Sequence, residues 1–156
     1  MNRSISVLLL IILIAGLLRV TYLVRSVRGQ WVPTLRELVE FDTTAKIPLC
    51  TFDTNGYVTL AISLVDSHRF AYEAGGQLVP ETVRTPGYPM FLALILLLGG
   101  NSLVTVSIVQ IMLSLLTIVL TYWLCLRLAK KEWVALFAAL LVAIDFVSIY
   151  YTTVVL

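Results

Sequence analysis

The chain has 156 residues, 60% of them hydrophobic, with a mean hydropathy of +0.97. A soluble domain is about 45–50% apolar, so this is the composition of a membrane-embedded chain, and its length is best counted in bilayer crossings. The net charge of +2, with no Lys/Arg cluster interleaved with aromatics, gives nucleic acid no support as a partner, and Cys50 and Cys125 offer no metal spacing and are not expected to pair.

Ser4 to Val24 is the first apolar run. It is long and lacks a small-x-small cleavage site, so it reads as an uncleaved span rather than a signal peptide. Arg19 lies near its far end, where a long side chain is expected to snorkel to the headgroups. Arg25 to Arg84 is polar by contrast, with six bases and seven acids, turn signals at Thr54-Asn55-Gly56 and Gly75-Gly76, and interfacial anchors at Trp31, Tyr57 and Tyr72. A connection of about sixty residues is too long to be structureless. Helical spacing of Leu35, Leu38 and Val39 predicts a helix over 32–41. Val58, Ala61, Ile62 and Val65 predict another over 56–70, with Thr54 or Asn55 as N-cap. Both suit amphipathic helices on the membrane face.

Tyr88 to Leu98 is apolar but about half the roughly 20 residues that a span needs, so it reads as an interfacial or half-inserted helix, with Pro89 in its first turn. Gly99-Gly100-Asn101-Ser102 ends it. Leu103 to Leu126 is a second span, and Trp133 to Thr153 a third, with Tyr150 and Tyr151 as an outer aromatic belt. The expected organisation is a first span over 4–24, a loop over 25–101, a second span over 102–126, a short loop over 127–132 and a third span over 133–153. This is an all-α membrane protein with about three transmembrane helices and a large extracytoplasmic loop holding short interfacial helices. Arg127, Lys130 and Lys131 crowd the short loop, which assigns it, and with it the N-terminus, to the cytoplasm. Arg25 and Arg28 disagree, but long loops translocate largely regardless of charge. With no retention signal in the sequence, a bacterial inner membrane is the simplest location.

Asp53 is an acid in the outer loop just before an amphipathic segment. It could take a proton from an acceptor hydroxyl or help hold a metal near a phosphate, or it could simply cap a helix or face solvent. Arg84 stands beside a Pro-Gly turn at the interface, where a planar guanidinium matches a lipid phosphate, or serves as an ordinary anchor. Asp145 sits inside the third apolar run, either as a functional acid or as a helix-positioning one. His68 reads as a surface residue. Glu37, Glu40 and Asp42 read as a solvated face.

The order of these segments is distinctive. One span is followed by Asp53-x-x-x-Tyr57, then by Arg84-Thr85-Pro86-Gly87-Tyr88-Pro89-Met90-Phe91-Leu92-Ala93, then by a span ending near a basic pair. This resembles the N-terminal part of the GT-C membrane glycosyltransferases, of the bacterial protein mannosyltransferase and aminoarabinose-transferase type (glycosyltransferase family 39). Asn101-Ser102-Leu103 with Val109-Gln110, and Asp145-Phe146 with Tyr150-Tyr151-Thr152, look like that family's second-span entry and third-span exit.

The resemblance implies a polyprenyl-phosphate sugar donor, a lipid, protein or glycan acceptor, and a site facing outward. The family's essential first-loop aspartate matches Asp53 as catalytic residue, and Arg84, Tyr57 and Tyr88 fall in its motifs as substrate-binding residues. The implied chemistry is an inverting displacement at the anomeric carbon. Some members use a divalent metal and others do not, so the resemblance leaves a divalent metal open. Family enzymes carry many more spans and a further acidic motif after the third, so this chain alone is expected to lack transferase activity. The alternative reading is a small non-enzymatic multi-span accessory or flippase-like subunit. A transporter half would need an inverted repeat, which the sequence lacks.

Overall fold

The computed structural model describes residues 3–40, 47, 49–51, 53–74 and 77–155. In chain order the elements are α1 (Arg3–Val27), α2 (Leu35–Leu38), α3 (Thr54–Asp66), β1 (Ala71–Ala74), β2 (Gln77–Pro80), α4 (Gly87–Leu97), α5 (Leu103–Ala129), α6 (Glu132–Ile144) and α7 (Phe146–Tyr151). They form two units, Met1–Arg28 with Ser107–Val154 and Gly29–Val106 with Val155–Leu156. Asp42 and the Gly75-Gly76 turn signal lie outside the described residues.

In the first unit α1 and α5 have 25 and 27 residues. Among the described residues these are the two helices long and apolar enough to cross a membrane, judged by length and composition. The core is a seam of Ile11 and Ala15 from α1, Ile118 from α5, and Ala139 and Ala143 from α6. Ala135, Ala139 and Ala143 follow at four-residue steps and are all buried, which gives α6 a flat face for close helix approach. Leu9, Leu13 and Leu17 of α1 and Leu116 and Leu120 of α5 stay exposed. Ser4 Oγ donates to the Glu132 carboxylate and ties the starts of α1 and α6.

Two expectations are corrected in this unit. The third apolar run is not one helix over 133–153. It breaks at Asp145, whose extended backbone (φ −60°, ψ 114°) separates the 13-residue α6 from the 6-residue α7. The cause is the side chain: the carboxylate accepts the Ser148 N–H at 2.7 Å and caps α7, an alternative to continued helix that a capping acid favours. Arg19, in turn, does not snorkel. It is 0% exposed and reaches across the seam. Its Nε donates to Ser114 Oγ at 3.0 Å, Nη1 to the carbonyls of Ala143 (3.0 Å) and Ala15 (3.2 Å), and Nη2 to Ser148 Oγ at 3.3 Å. Ala143 lies in the last turn of α6, where carbonyls lack intrahelical partners, so the guanidinium supplies the donor that the break removes.

In the second unit the helix expected over 32–41 shrinks to the single turn of α2. Thr34 fixes its start with a capping box: Thr34 Oγ1 accepts the Glu37 N–H, and Glu37 Oε2 accepts the Thr34 N–H at 2.8 Å. Arg36 joins α2 to the end of α3 through two bonds to Asp66, 2.8 and 2.9 Å long. The next helix starts at Thr54. Its N-cap position is Asp53, not Thr54 or Asn55, and the Asp53 side chain makes no cap bond because its backbone is already helical (φ −91°, ψ −8°). Thr54 instead turns inward, accepting from Thr51 N and donating to Val155 O, both at 2.6 Å. The antiparallel hairpin of β1 and β2, pairing Tyr72 with Val79 and Glu73 with Leu78, was not expected. Leu92, Ala93 and Ile95 of α4 are buried with Val58, Leu60 and Ala61 of α3, and that packing carries the Arg84 motif to the start of α3. At 11 residues α4 begins and ends one residue before the expected 88–98 and falls short of a span.

Candidate functional site

The second unit gathers Asp53, Tyr57, Arg84 and Tyr88 into one cluster. Asp53 arrives as the residue before α3, and Tyr57 stands one turn further along that helix. Arg84 leads into the Pro86-Gly87 entry of α4, and Tyr88 sits in that helix's first turn. Arg84 Nη2 lies 3.5 Å from Asp53 Oδ1. The guanidinium carbon is 5.8 Å from the centre of the Tyr57 ring, within cation–π range. Tyr57 meets Tyr88 edge-on at 5.5 Å, and Tyr88 lies 5.8 Å from Phe91. A polar head on an aromatic shelf is thereby set at the mouth of an apolar helix.

Two further residues hold this arrangement. Glu81 Oε2 accepts from Arg84 Nη1 at 3.0 Å, while its Oε1 accepts the backbone N–H of Val83 at 2.7 Å and of Arg84 at 3.3 Å. Its side chain is only 4% exposed. The Val83 N–H, with the bonds from Arg84, holds its carboxyl below the usual carboxylate range. Gly56 makes room for Arg84: a Cβ there would stand 2.6 Å from both the guanidinium carbon and Nη2. Sequence reasoning read Gly56 as part of a turn signal and as the start of the helix over 56–70, and did not single out Glu81, although Glu81-x-x-Arg84 is a spacing that one turn brings together.

The two ion pairs of Arg84 are unequal. Glu81 is enclosed and makes three hydrogen bonds. Asp53 is 58% exposed and holds Arg84 at the longer distance. An exposed pair contributes at most about 1 kcal/mol, so the Asp53 pair is the weaker of the two. Two grooves adjoin at the pair, and Tyr72 lines both. One, of about 770 Å³, runs along α3 and the hairpin; the other, of about 500 Å³, is lined by Tyr57, Glu81, Val83 and Thr85.

The donor set does not fit a divalent metal. Both Glu81 oxygens are engaged and one Asp53 oxygen faces Arg84. Among the described residues no three of His, Cys, Asp and Glu cluster for an ion. Cys50 is free, and burial pushes its thiol up to about 12, so at neutral pH it is a protonated thiol and no nucleophile. His68 is exposed, and Asp145 is spent on capping α7.

Comparison with known proteins finds no matching family model, no similar curated protein and no similar solved structure.

Proposed function

We propose that this chain acts in membrane glycosyl transfer, taking a sugar from a polyprenyl-phosphate-linked donor at the extracytoplasmic face of a membrane that α1 and α5 cross. The observation that carries the reading is the 3.5 Å pair of Asp53 and Arg84 at the entry of the short apolar helix α4. A lipid phosphate needs a cation at the headgroup level with apolar surface beside it, and Arg84 before α4 offers both.

Glu81 keeps Nη1 of Arg84, and the donor phosphate takes Nη2 from Asp53. Asp53 is then a free carboxylate next to the phosphate and can receive the proton of an acceptor hydroxyl. The acceptor oxygen bonds to the anomeric carbon as that carbon's bond to the phosphate oxygen breaks. The electron pair leaves on the lipid phosphate, where Arg84 stabilises the charge, and the configuration inverts. Tyr57 holds the guanidinium over its ring, Tyr88 packs edge-on against Tyr57, and the two form the shelf for the sugar or first isoprene unit.

The test is photoaffinity labelling of the full chain in lipid nanodiscs with a diazirine polyprenyl-phosphate sugar. Labelling that exceeds a dephosphorylated polyprenol control and drops in Arg84→Leu supports the reading. Equal labelling by the two probes defeats it.

A further inference from the structure

The groove along α3 starts at the Asp53–Arg84 pair and runs on between α3 and the hairpin, and that stretch of its lining has a chemistry of its own. Asn55, Thr59, Ser63 and Ser67 all line it. They follow at four-residue steps, so they stack on one face about 6 Å apart along the axis. That step is close to the length of one pyranose unit. Tyr72 and Glu73 line the groove from the hairpin.

The hydroxyls of this row each have a backbone carbonyl of the chain to donate to. Thr59 donates to the Asn55 carbonyl at 2.8 Å, Ser63 to the Arg69 carbonyl at 3.0 Å, and Ser67 to the Ser63 carbonyl at 2.7 Å. Their oxygens are left with lone pairs, and the carboxylates of Glu73 and Asp53 add more acceptors to the same groove. Arg84 is its cation, already placed between two acids. Such a lining suits a ligand rich in O–H donors and low in negative charge. Tyr72, 39% exposed, presents an aromatic surface of the kind on which a sugar ring packs.

We infer that the α3 groove is the acceptor subsite and that the acceptor is a neutral, polyhydroxylated glycan chain. The assignment rests on the glycosyl-transfer reading and narrows it from lipid, protein or glycan to glycan. The groove ends at Asp53, so a sugar hydroxyl lying in it meets the carboxylate that takes its proton.

The experiment is saturation-transfer NMR on the full chain in nanodiscs, with maltotriose and mannotriose as probes and donor photolabelling run on the same samples. The double variant Thr59→Val/Ser63→Ala removes two acceptor oxygens that line the α3 groove and not the smaller one. Expected is saturation of at least one trisaccharide by the wild-type chain, weakened about tenfold in the variant, with donor labelling equal in both. Intact donor labelling with no saturation by either sugar overturns the acceptor subsite and leaves the donor reading standing. Equal sugar binding in wild type and variant overturns the placement in this groove. Loss of phosphate-dependent donor labelling in the wild type brings down the transfer reading, and the acceptor subsite with it.

Discussion

Asp53 Oδ1 meets Arg84 Nη2 at 3.5 Å while Glu81 holds the other arm of the same guanidinium at 3.0 Å. The shorter, enclosed pair anchors the cation, and the longer, exposed one can be exchanged. Under the proposed mechanism Asp53 is needed for proton transfer and not for donor binding. Asp53→Asn, introduced into the gene in its own cells, is expected to lower sugar transfer by about 10²–10⁴-fold, the usual contribution of a general base. Donor photolabelling should be unchanged or stronger, because Arg84 loses a competitor. Weakened labelling would show that Asp53 contributes to binding instead.

Gly56 gives a prediction against helix propensity. Glycine inside a helix costs about 0.5–1 kcal/mol relative to alanine, so Gly56→Ala should stabilise α3. Its methyl group would stand 2.6 Å from the guanidinium, at the far end of a flexible side chain that can swing away. Expected is an unchanged or slightly raised melting temperature with loss of donor labelling. Lower stability together with full labelling would contradict this account of Gly56.

The hydrogen bonds at Glu81 predict a pH response. Its carboxyl is held below the usual range, first by the Val83 N–H. A depressed acid contributes stability above its unfolded value, about 4.3, and loses it as the pH falls through the folded value. The Val83 amide shift in NMR should therefore hold steady from neutral pH through the ordinary carboxylate range and move only below it. In Glu81→Gln it should be flat with pH. A midpoint at or above the ordinary value would mean that Glu81 does not hold the turn.

Arg19 predicts a stability effect in the other unit. Arg19→Met keeps the length of an apolar stem but leaves the Ala143 carbonyl without its donor. An unsatisfied buried group costs about 1–3 kcal/mol, and that loss should appear in reversible unfolding in mixed micelles. Ser114→Ala removes one of the four partners and should cost less.

The legible and illegible parts of this chain differ for physical reasons. Asp53, Tyr57, Arg84 and Tyr88 were named from two short motifs, and the packing of α4 on α3 brings these motifs together. Gly56 and Glu81 were hidden because their importance depends on where Arg84 ends up, which neither local propensity nor hydropathy encodes. Arg19 was assigned to the headgroups on its position near a helix end. What decides its fate is the break at Asp145, which releases a carbonyl for it to satisfy. That break was itself obscured by the continuous apolar run around it. The hairpin was missed because Ala71–Ala74 and Gln77–Pro80 are four residues each, too short for an alternating pattern to stand out.

The most direct measurement is phosphate-dependent photolabelling of the chain in nanodiscs by a polyprenyl-phosphate sugar, compared across wild type, Asp53→Asn and Arg84→Leu. The account predicts crosslinks in the peptide spanning residues 81–97, retained in Asp53→Asn and lost in Arg84→Leu. Labelling that ignores the phosphate, or that survives in Arg84→Leu, would contradict it.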